Sequence, residues 1–543
     1  MILGICDGHN SSACFLSDKI TNDKNNKNKN KNDNETIIKY SISEERFNKI
    51  KNYRGLPNNS INYILNRLNN LNLEKPNLIA VGGAFRKGKR LKELNALQNK
   101  LNIPILYYNH HLCHSALYKL SNFKECLIIT IDGGGDGLSS TVSIGTKNNI
   151  EIIGQSNLIN SIGDFYASVT EVLGFKPMED EGKVMSLSSY NMDNNNKNIL
   201  EEMLKNEIVV KYDNNIKTFK NYLEVVGYES TKKLKNIFKK YNLTQNNFKN
   251  KVIISKYAQN ILEKEVLKLI NLFSKETNIK NIVFSGGVAQ NIKLNSAIVN
   301  SGYNLFVPPF VGDEGLCVGA SLLVNKKYVN LENSYLGYEI NNNIIENEII
   351  PKYKSKYKIN YIEEKDIPTT IGNLIVNNKI VCICKGKSEF GPRALGNRSI
   401  ISLPTEENKI KINKLLNRND FMPFAPTILY EYIGDYFENP SYSPYMTLLF
   451  NIKKNIINKN IDILGVIHKG DNTTRAQTIK KEFNNIYYNI INCVNDILDV
   501  PLILNTSFNL HGYPIVNNEY DGINTFNFIG DYLLLGNYLF EKI

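Results

Sequence analysis

Four late arginines are the first residues of this chain whose type and spacing suggest chemistry. Between Arg90 and Arg393 the sequence uses no arginine over 302 residues, although lysine supplies positive charge throughout. Four then follow in polar segments: Arg393, Arg398, Arg418 and Arg475. A guanidinium binds phosphate or carboxylate through two parallel hydrogen bonds, whereas an ammonium is a point charge. Ordinary structural ion pairs are the alternative, but four arginines in this setting favour an anion site.

A second group of residues has the spacing of metal ligands. His110 and His114 are four positions apart, so they share one face if their segment is helical. Asp132 and Asp313 each follow a predicted strand and offer carboxylates, whereas His111 points elsewhere. Two imidazoles with carboxylate suit Fe(II), and also Zn or Mn. The alternative is that the histidines cap a helix or form hydrogen bonds in the core.

Two strand–turn–strand units must position any phosphates in the N-terminal half. Asp7-Gly8 follows the first apolar strand, and Asp132-Gly133-Gly134 follows a later one, with the aspartates 125 positions apart. Backbone N–H groups and small residues in such turns let an anion approach closely. Two hairpins of this kind are what actin-like or sugar-kinase-like ATPases use to grip phosphates from both sides.

The same half contains a strand, a Gly-Gly turn and a helix in succession. Apolar residues recur at helical spacing over 258–273, and the strand 281–284 then leads into Gly286-Gly287. A helix is predicted to follow the turn at 288–298, which makes the turn a seat for a nucleotide or phosphate. Asn291 lies in this segment.

Length and composition limit the classes of protein. A chain of 543 residues should form more than one domain, since single cores stop growing near about 250–300 residues. The polar stretch 341–358 is a candidate boundary, and the Asn/Lys tract 22–34 is predicted to be a mobile loop. The net charge of +12 fits anionic substrates or a Lys/Asn coding bias better than nucleic acid.

The cellular location follows from what the sequence does not contain. Eight cysteines show no disulfide or zinc spacing, which fits a reducing compartment. Asp7 interrupts the first apolar run, and no uncharged apolar stretch reaches the ~18 residues of a membrane helix. We therefore expect a cytoplasmic protein without a membrane partner, while the oligomeric state is not readable.

Taken together, these segments resemble the carbamoyltransferase family that includes NodU-type nodulation proteins and antibiotic O-carbamoyltransferases. The N-terminal segments that carry the resemblance include HHLCHS at 110–115, SGGVAQN at 285–291 and GDEGLCVGA at 312–320. The C-terminal ones are EFGPRALGNRS at 389–399, MPFAP at 422–426 and LNTSFN at 504–509. The ordered set spans nearly the whole chain and is highly specific.

The resemblance implies an α/β protein with two domains. Residues 1–345 would form an actin-like ATPase domain, with the duplicated RNase H-like fold of sugar kinases and Hsp70. Residues 356–543 would form a YrdC-like α/β domain with a twisted sheet. The implied enzyme is an ATP-dependent O-carbamoyltransferase. Its C-terminal domain converts carbamoyl phosphate and ATP, with Mg, to carbamoyl-adenylate. Its N-terminal domain transfers the carbamoyl group to a hydroxyl of a small molecule, a sugar or natural product.

The resemblance also implies roles for individual residues. His9 would be the catalytic histidine beside the acceptor hydroxyl, and Lys387 and Arg393 would act on carbamoyl phosphate and ATP. Further ligands of the substrates and nucleotide would be Gly133, Gly134, Gly286, Gly287, Asn291, Arg418, Arg475, Asn505, Ser507 and Asn509. Fe(II), or another divalent metal, would be held by His110, His114, Asp132 and Asp313. Arg398 is interpreted as a brace of its own loop.

Some positions depart from the family pattern. Asn10 stands where an aspartate is usual, and the run MSLSSY at 185–190 replaces a Gly-Leu-Ala-Pro run. His511 and Tyr513 replace residues that are commonly basic and acidic. These departures suggest a different acceptor.

Three other functions compete with carbamoyl transfer. Transfer of threonylcarbamoyl to tRNA would use the same two domain types, but the domain order and the GPRALGNR run disfavour it. A kinase of the actin-like superfamily would explain the hairpins without the second, arginine-rich domain. A non-enzymatic nucleic-acid binder would rest on the net charge alone, so a nucleic-acid partner is not expected.

Overall fold

The computed structural model describes residues 1–18, 36–84, 87–147, 149–457 and 462–543. Its first sheet has five strands in the order β3-β2-β1-β4-β5. β1 and β2 pair antiparallel, as do β2 and β3, whereas β1, β4 and β5 run parallel. These strands are β1 (Ile2–Cys6), β2 (Ser12–Asp18), β3 (Thr36–Ser43), β4 (Leu78–Gly82) and β5 (Ile105–Tyr108).

A second five-stranded sheet repeats this topology. Its strands are β6 (Glu125–Gly135), β7 (Leu138–Thr146), β8 (Ile150–Asn157), β11 (Asn281–Ser285) and β12 (Asn304–Phe306), after a separate hairpin of β9 (Val210–Asp213) and β10 (Thr218–Asn221). The order is β8-β7-β6-β11-β12, with the same antiparallel and parallel pairings. The N-terminal half therefore has the expected duplicated, actin-like fold.

Helices fill the connections between these strands. They are α1 (Glu45–Asn48), α2 (Asn58–Asn70), α3 (Gly88–Leu101), α4 (His110–Ala116), α5 (Ile162–Val172), α6 (Glu181–Leu187), α7 (Asn194–Asn206), α8 (Tyr228–Lys240), α9 (Phe248–Thr277), α10 (Ile292–Asn300) and α11 (Leu316–Asn325). The apolar spacing over 258–273 falls within α9, whose buried face packs into the largest core cluster. The helix predicted at 288–298 is instead a short 3₁₀ turn followed by α10, which Asn291 caps.

The C-terminal half is built on an eight-stranded mixed sheet. Its order is β14-β24-β23-β15-β17-β22-β18-β21. The strands of this half are β13 (Tyr335–Glu339), β14 (Tyr357–Tyr361), β15 (Val381–Cys384), β16 (Lys387–Glu389), β17 (Arg398–Ser402), β18 (Ala425–Leu429), β19 (Phe450–Asn451), β20 (Thr473–Thr474), β21 (Gln477–Ile479), β22 (Leu502–Ser507), β23 (Tyr532–Leu535) and β24 (Tyr538–Lys542). β13 pairs with β16, and β19 pairs with β20, outside this sheet.

In the described part of this half, helices cover the sheet and its loops. They are α12 (Asn342–Ile344), α13 (Ile350–Tyr353), α14 (Ile367–Val376), α15 (Glu406–Leu416), α16 (Ile433–Tyr436), α17 (Lys454–Ile457), α18 (Asn485–Leu498) and α19 (Glu519–Phe526). Ile345 and Ile349 pack in one core cluster with Phe526 and Phe540. The polar stretch that contains these isoleucines thus joins the C-terminal core, while the division at 345/356 stays a prediction.

Two expectations concern features outside this architecture. The Asn/Lys tract 22–34 lies outside the described residues. Among the helices of the described ranges, none combines the length and apolar character needed to cross a membrane.

Candidate functional site

The four predicted metal ligands converge at one point between the two N-terminal sheets. His110 Nε2 lies 3.1 Å from Asp132 Oδ2 and 3.6 Å from Asp313 Oδ1. His114 Nε2 lies 3.2 and 3.7 Å from the same two oxygens, and 3.2 Å from His110 Nε2. Ligand atoms that share one ion at about 2.0–2.2 Å lie about 3 Å apart, so the residues fit a single divalent metal. The predicted convergence is observed.

Local structure explains how the histidines come to face one another. Asn109 caps α4 by accepting hydrogen bonds from the N–H groups of His111 and Leu112, so the segment is helical as the spacing requires. His110 and His114 then share a face, whereas His111 Nδ1 lies 2.8 Å from Thr130 Oγ1 on another side. Burial lowers the pKa of His111 to about 3, so this ring is neutral.

The field at the cluster favours a cation. Burial lowers the pKa of His114, but Asp132 and Asp313 outweigh it and raise that pKa to about 9. Burial likewise raises the pKa of Asp132, but His110 and His114 hold it well below its ordinary value. Two carboxylates that stabilise a proton on a buried imidazole also stabilise a metal ion in its place.

Sequence reasoning missed the groups that orient these ligands. The backbone N–H groups of His110 and Ala84 both donate to Asp136 Oδ2 at 2.7 Å, which fixes the start of α4 against the turn after β6. Ser285 Oγ lies 3.5 Å from His114 Nδ1. Asp136 lies in the Asp-Gly-rich run that the sequence predicts to be a turn. This position beside Asp132 was the signal from which a role for Asp136 in orienting the cluster could have been predicted.

His9 lies on the turn after β1. Burial lowers its pKa, while Asp313 and Asp132 act in the opposite direction, which shows that its ring is within their field. The neutral imidazole that results can accept a proton. The structure thus brings His9 into the neighbourhood of the four metal-binding residues.

The glycines of the two predicted phosphate-binding turns, 133–134 and 286–287, lie close to Asp132. Gly133 N–H donates to Asp132 Oδ1 at 2.6 Å, and a side chain at Gly287 would begin 3.0 Å from that oxygen. Gly286 has φ +90° against the Ile131 carbonyl, a conformation and approach that require glycine. Gly134 has no room for a side chain either, because Leu158 packs there.

Asn291 has a structural task in the same region. Its side chain accepts from Leu294 N–H to cap α10 and exchanges two hydrogen bonds with Gln259. A role for Asn291 in nucleotide binding would need these bonds to break.

Three of the four late arginines line one cavity of about 190 Å³ in the C-terminal half. Arg393, Arg418 and Arg475 come from three separate segments, and within the described ranges none of the three forms an ion pair with a carboxylate. Burial lowers the pKa of Arg418 to about 10. Burial, with the charges of the other two, lowers the pKa of Arg475 well below its ordinary value. Mutual repulsion of this kind is relieved by a bound polyanion.

Unused hydrogen-bonding atoms also face this cavity. Across the described residues, Arg418 Nη1 and Arg475 Nε are buried without a hydrogen-bond partner. The same holds for the side-chain oxygens of Asn505 and Asn509, which line the cavity with Ser507. Buried polar atoms are normally satisfied, so the set indicates a polar ligand.

Two other basic residues lie elsewhere. Arg398 is fully buried and donates to backbone carbonyls of Lys385, Gly386 and Asn517, among others, so its predicted role as a brace is confirmed. Lys387 is not among the residues that line the arginine cavity, and its Nζ lies 5.0 Å from the centre of the Tyr40 ring.

A larger cavity of about 520 Å³ adjoins the arginine cavity. It shares Pro392, Ser507, Asn509 and His511 with the arginine cavity, and it reaches Glu314, which adjoins Asp313. Its remaining lining residues come from both halves and include Asn10, Arg46, Lys51, Lys183 and Tyr513. The departures at positions 10, 511 and 513 therefore meet in one place, which the sequence could not show.

These features define a class of protein: a two-part α/β protein with a His/Asp cluster that could hold a metal ion in one part and an arginine-lined cavity in the other. Comparison with known families agrees. A model of the carbamoyltransferase N-terminus matches residues 76–322, and one of the carbamoyltransferase C-terminus matches residues 372–542. The chain belongs to the carbamoyltransferase family and is a transferase.

Individual relatives extend over most of the chain. An uncharacterized protein of Methanocaldococcus jannaschii, MJ1051, is 54% identical over the full length of both chains. The nodulation protein NolO of Bradyrhizobium diazoefficiens is 30% identical over 80% of this chain and 79% of its own. The nodulation protein NolNO of Sinorhizobium fredii is 29% identical over 92% of this chain and 77% of its own.

Proposed function

We propose that this carbamoyltransferase activates carbamoyl phosphate with ATP to give carbamoyl-adenylate, and then transfers the carbamoyl group to a hydroxyl of a small molecule. The observation that carries the proposal is the convergence of Arg393, Arg418 and Arg475 on one cavity without carboxylate partners. Two substrates that bring several phosphates together, one of them with Mg, match this excess of positive charge.

In this proposal the arginine cavity is the site of activation. The three guanidiniums neutralise the charge that grows on the departing phosphate and pyrophosphate, while Asn505, Ser507 and Asn509 supply polar contacts. Lys387 could join them only if its side chain left the Tyr40 ring. The C-terminal half from about residue 356 would be the activation domain.

The larger cavity offers a path for the intermediate. An adenylate is labile in water, so a route bounded by both halves of the chain protects it on the way to the metal-binding cluster. Pro392, Ser507, Asn509 and His511 line both cavities, so the larger cavity adjoins the proposed site of activation and offers the intermediate a place to move to.

Transfer would take place beside His9, His110, His114, Asp132 and Asp313, in an N-terminal domain ending near residue 345. A divalent metal, Fe(II) in our proposal, would be held by the last four residues and would polarise a carbonyl oxygen when bound. The neutral His9 ring would orient the acceptor hydroxyl and take its proton as the hydroxyl oxygen joins the carbamoyl carbon and AMP leaves.

The test is to incubate the protein with ATP, carbamoyl phosphate and Mg. We expect pyrophosphate, and an adenylate carrying one carbamoyl group in the mass spectrum. ATP that remains intact in the presence of carbamoyl phosphate would exclude the activation step.

Labelled carbamoyl phosphate in cell extract should then mark an acceptor that is heavier by one carbamoyl group. Consumption of threonylcarbamoyl-adenylate in the presence of tRNA would instead support the rival transferase.

A further inference from the structure

One serine of the N-terminal half is tied to the segments that carry two of the cavity arginines. Ser186, in α6, donates its hydroxyl to Phe421 O at 3.1 Å, and its oxygen lies 3.1 Å from His468 Nε2. Ser186 and His468 are 8% and 4% exposed, so water competes little for these bonds.

The hydrogen positions in this contact follow from the surrounding network. Gly470 N–H donates to His468 Nδ1 at 3.0 Å, a shorter contact than the 3.5 Å from Asp471 Oδ1 to the same nitrogen, so we assign Nδ1 as the acceptor and place the hydrogen on Nε2. His468 therefore donates to Ser186, and Ser186 donates to Phe421. The hydroxyl is engaged in both directions, so it is a connector rather than a nucleophile.

Close packing holds the segments around this contact. The ring centres of Tyr190 and His468 lie 4.9 Å apart, and Lys293 Nζ donates to Ser189 Oγ at 2.9 Å. A side chain at Gly470 would begin 2.6 Å from Ser189 O, so the two backbones nearly touch. The run 185–190, where the chain departs from the family pattern, is thus the part of the N-terminal half that docks here.

Both tied segments lead directly to cavity arginines. Phe421 is three residues from Arg418, and His468 is seven residues from Arg475. Among the described residues the Arg418 side chain has one hydrogen bond, from Nη2 to Pro423 O at 3.3 Å, and its Nη1 is unsatisfied, while the guanidinium stacks on the Phe424 ring. The positive charges of Arg418 and Arg475 repel each other, so they do not help to hold their two segments together. Other contacts have to fix these segments.

We propose that Ser186 is a positioning residue for the anion cavity: through Phe421 and His468 it fixes the segments that present Arg418 and Arg475. This inference rests on the proposed function of that cavity as a phosphate site. It gives the N-terminal half a part in phosphate binding, although that half contributes none of the three guanidiniums.

Binding of inorganic pyrophosphate to the full chain tests the inference without any carbamoyl transfer. By isothermal titration calorimetry, we expect Ser186→Ala to weaken binding about tenfold, because small displacements of binding groups cost affinity steeply. Ser186→Cys preserves the volume but loses the strong donor, so it should weaken binding in the same direction. In steady-state assays Ser186→Ala should raise KM for carbamoyl phosphate more than it lowers kcat.

Ser274→Ala is the matched control. Ser274 is 8% exposed, like Ser186, and its hydroxyl donates to Ile279 O at 2.7 Å within the N-terminal half. Among the described residues, neither Ser274 nor Ile279 lies in a segment that carries a cavity arginine or pairs with one, so pyrophosphate binding should stay at the wild-type level. Melting temperatures of both variants check that each is folded.

The possible outcomes distinguish failure of the positioning role of Ser186 from failure of the proposed anion cavity. If wild-type binding requires Arg475, as judged by Arg475→Gln, but Ser186→Ala binds normally, the positioning role is wrong and the cavity proposal stands. Equal losses in the Ser186 and Ser274 variants would also overturn a specific role for Ser186. If the wild type does not bind pyrophosphate, or Arg475→Gln binds it equally well, both proposals fall.

Discussion

At the scale of single residues, the four residues of the His/Asp cluster come from three places in the chain, and two of them depend on one short helix for their geometry. The facing Nε2 atoms of His110 and His114, 3.2 Å apart, leave space for one ion between two carboxylates. The double variant His110→Ala/His114→Ala should lose bound metal and carbamoyl transfer but keep carbamoyl-adenylate formation, because the arginine cavity is separate. Elemental analysis and pyrophosphate release measure the two properties.

His111→Gln is the control for this variant. His111 lies in the same helix but faces Thr130, so its replacement should leave the metal content unchanged. Loss of both metal and adenylate formation in the double variant would show that the histidines are structural instead.

The arginines give a second prediction at this scale. Arg475→Gln removes a guanidinium from the anion cavity, and we expect kcat/KM for pyrophosphate release to fall by about 10²–10³. Arg67→Gln, which breaks an exposed pair with Glu339, should change it by no more than about twofold, because such pairs contribute little. Similar effects of the two substitutions would argue against a specific site.

At the scale of elements, the segment from β16 to β17 uses two arginines for opposite purposes. Arg398 satisfies several buried carbonyls, so Arg398→Met should lower the free energy of unfolding by at least about 3 kcal/mol. Arg393→Met removes a repelling charge from the cavity and should cost less than about 1 kcal/mol. Denaturant unfolding compares the two directly, and an equal loss for both would contradict this division.

Sequence periodicity predicted these elements well where apolar residues are buried at regular spacing. It predicted them poorly where a capping residue determines where a helix begins. The long α9 was visible from its apolar spacing, and β15 from its continuous apolar run. The break between Gly287 and α10 was not visible, because it results from Asn291 capping a new helix. Capping depends on which backbone N–H groups lie within reach, which apolar spacing does not encode.

At the scale of the whole molecule, Gly391 joins the two halves. Its φ is +115°, Arg46 Nη2 donates to its carbonyl at 3.1 Å, and a side chain would begin 2.5 Å from Pro309 O. Gly391→Ala should therefore destabilise the chain by about 1–3 kcal/mol and weaken pyrophosphate binding, because it moves the neighbouring Arg393. Thermal melting and calorimetry measure these effects.

Gly434→Ala is the control, since nothing lies within 4 Å of a side chain built there. Its stability should change by less than about 1 kcal/mol, and its anion binding should stay the same. Normal binding in Gly391→Ala would mean that the contact between the halves does not position the arginine.

The sequence by itself determined the family, the two aspartate hairpins, the four residues of the His/Asp cluster and three arginines that line one cavity, because these depend on residue type and local spacing. The tertiary structure alone decided which side chains meet. It separated Arg398 and Lys387 from the other three basic residues, and it gathered Asn10, His511 and Tyr513 around one cavity. It also tied Ser186 to His468 across 282 positions of sequence. The reason is physical: residue type limits what a group can bind, whereas packing between distant segments sets which groups are within reach of each other.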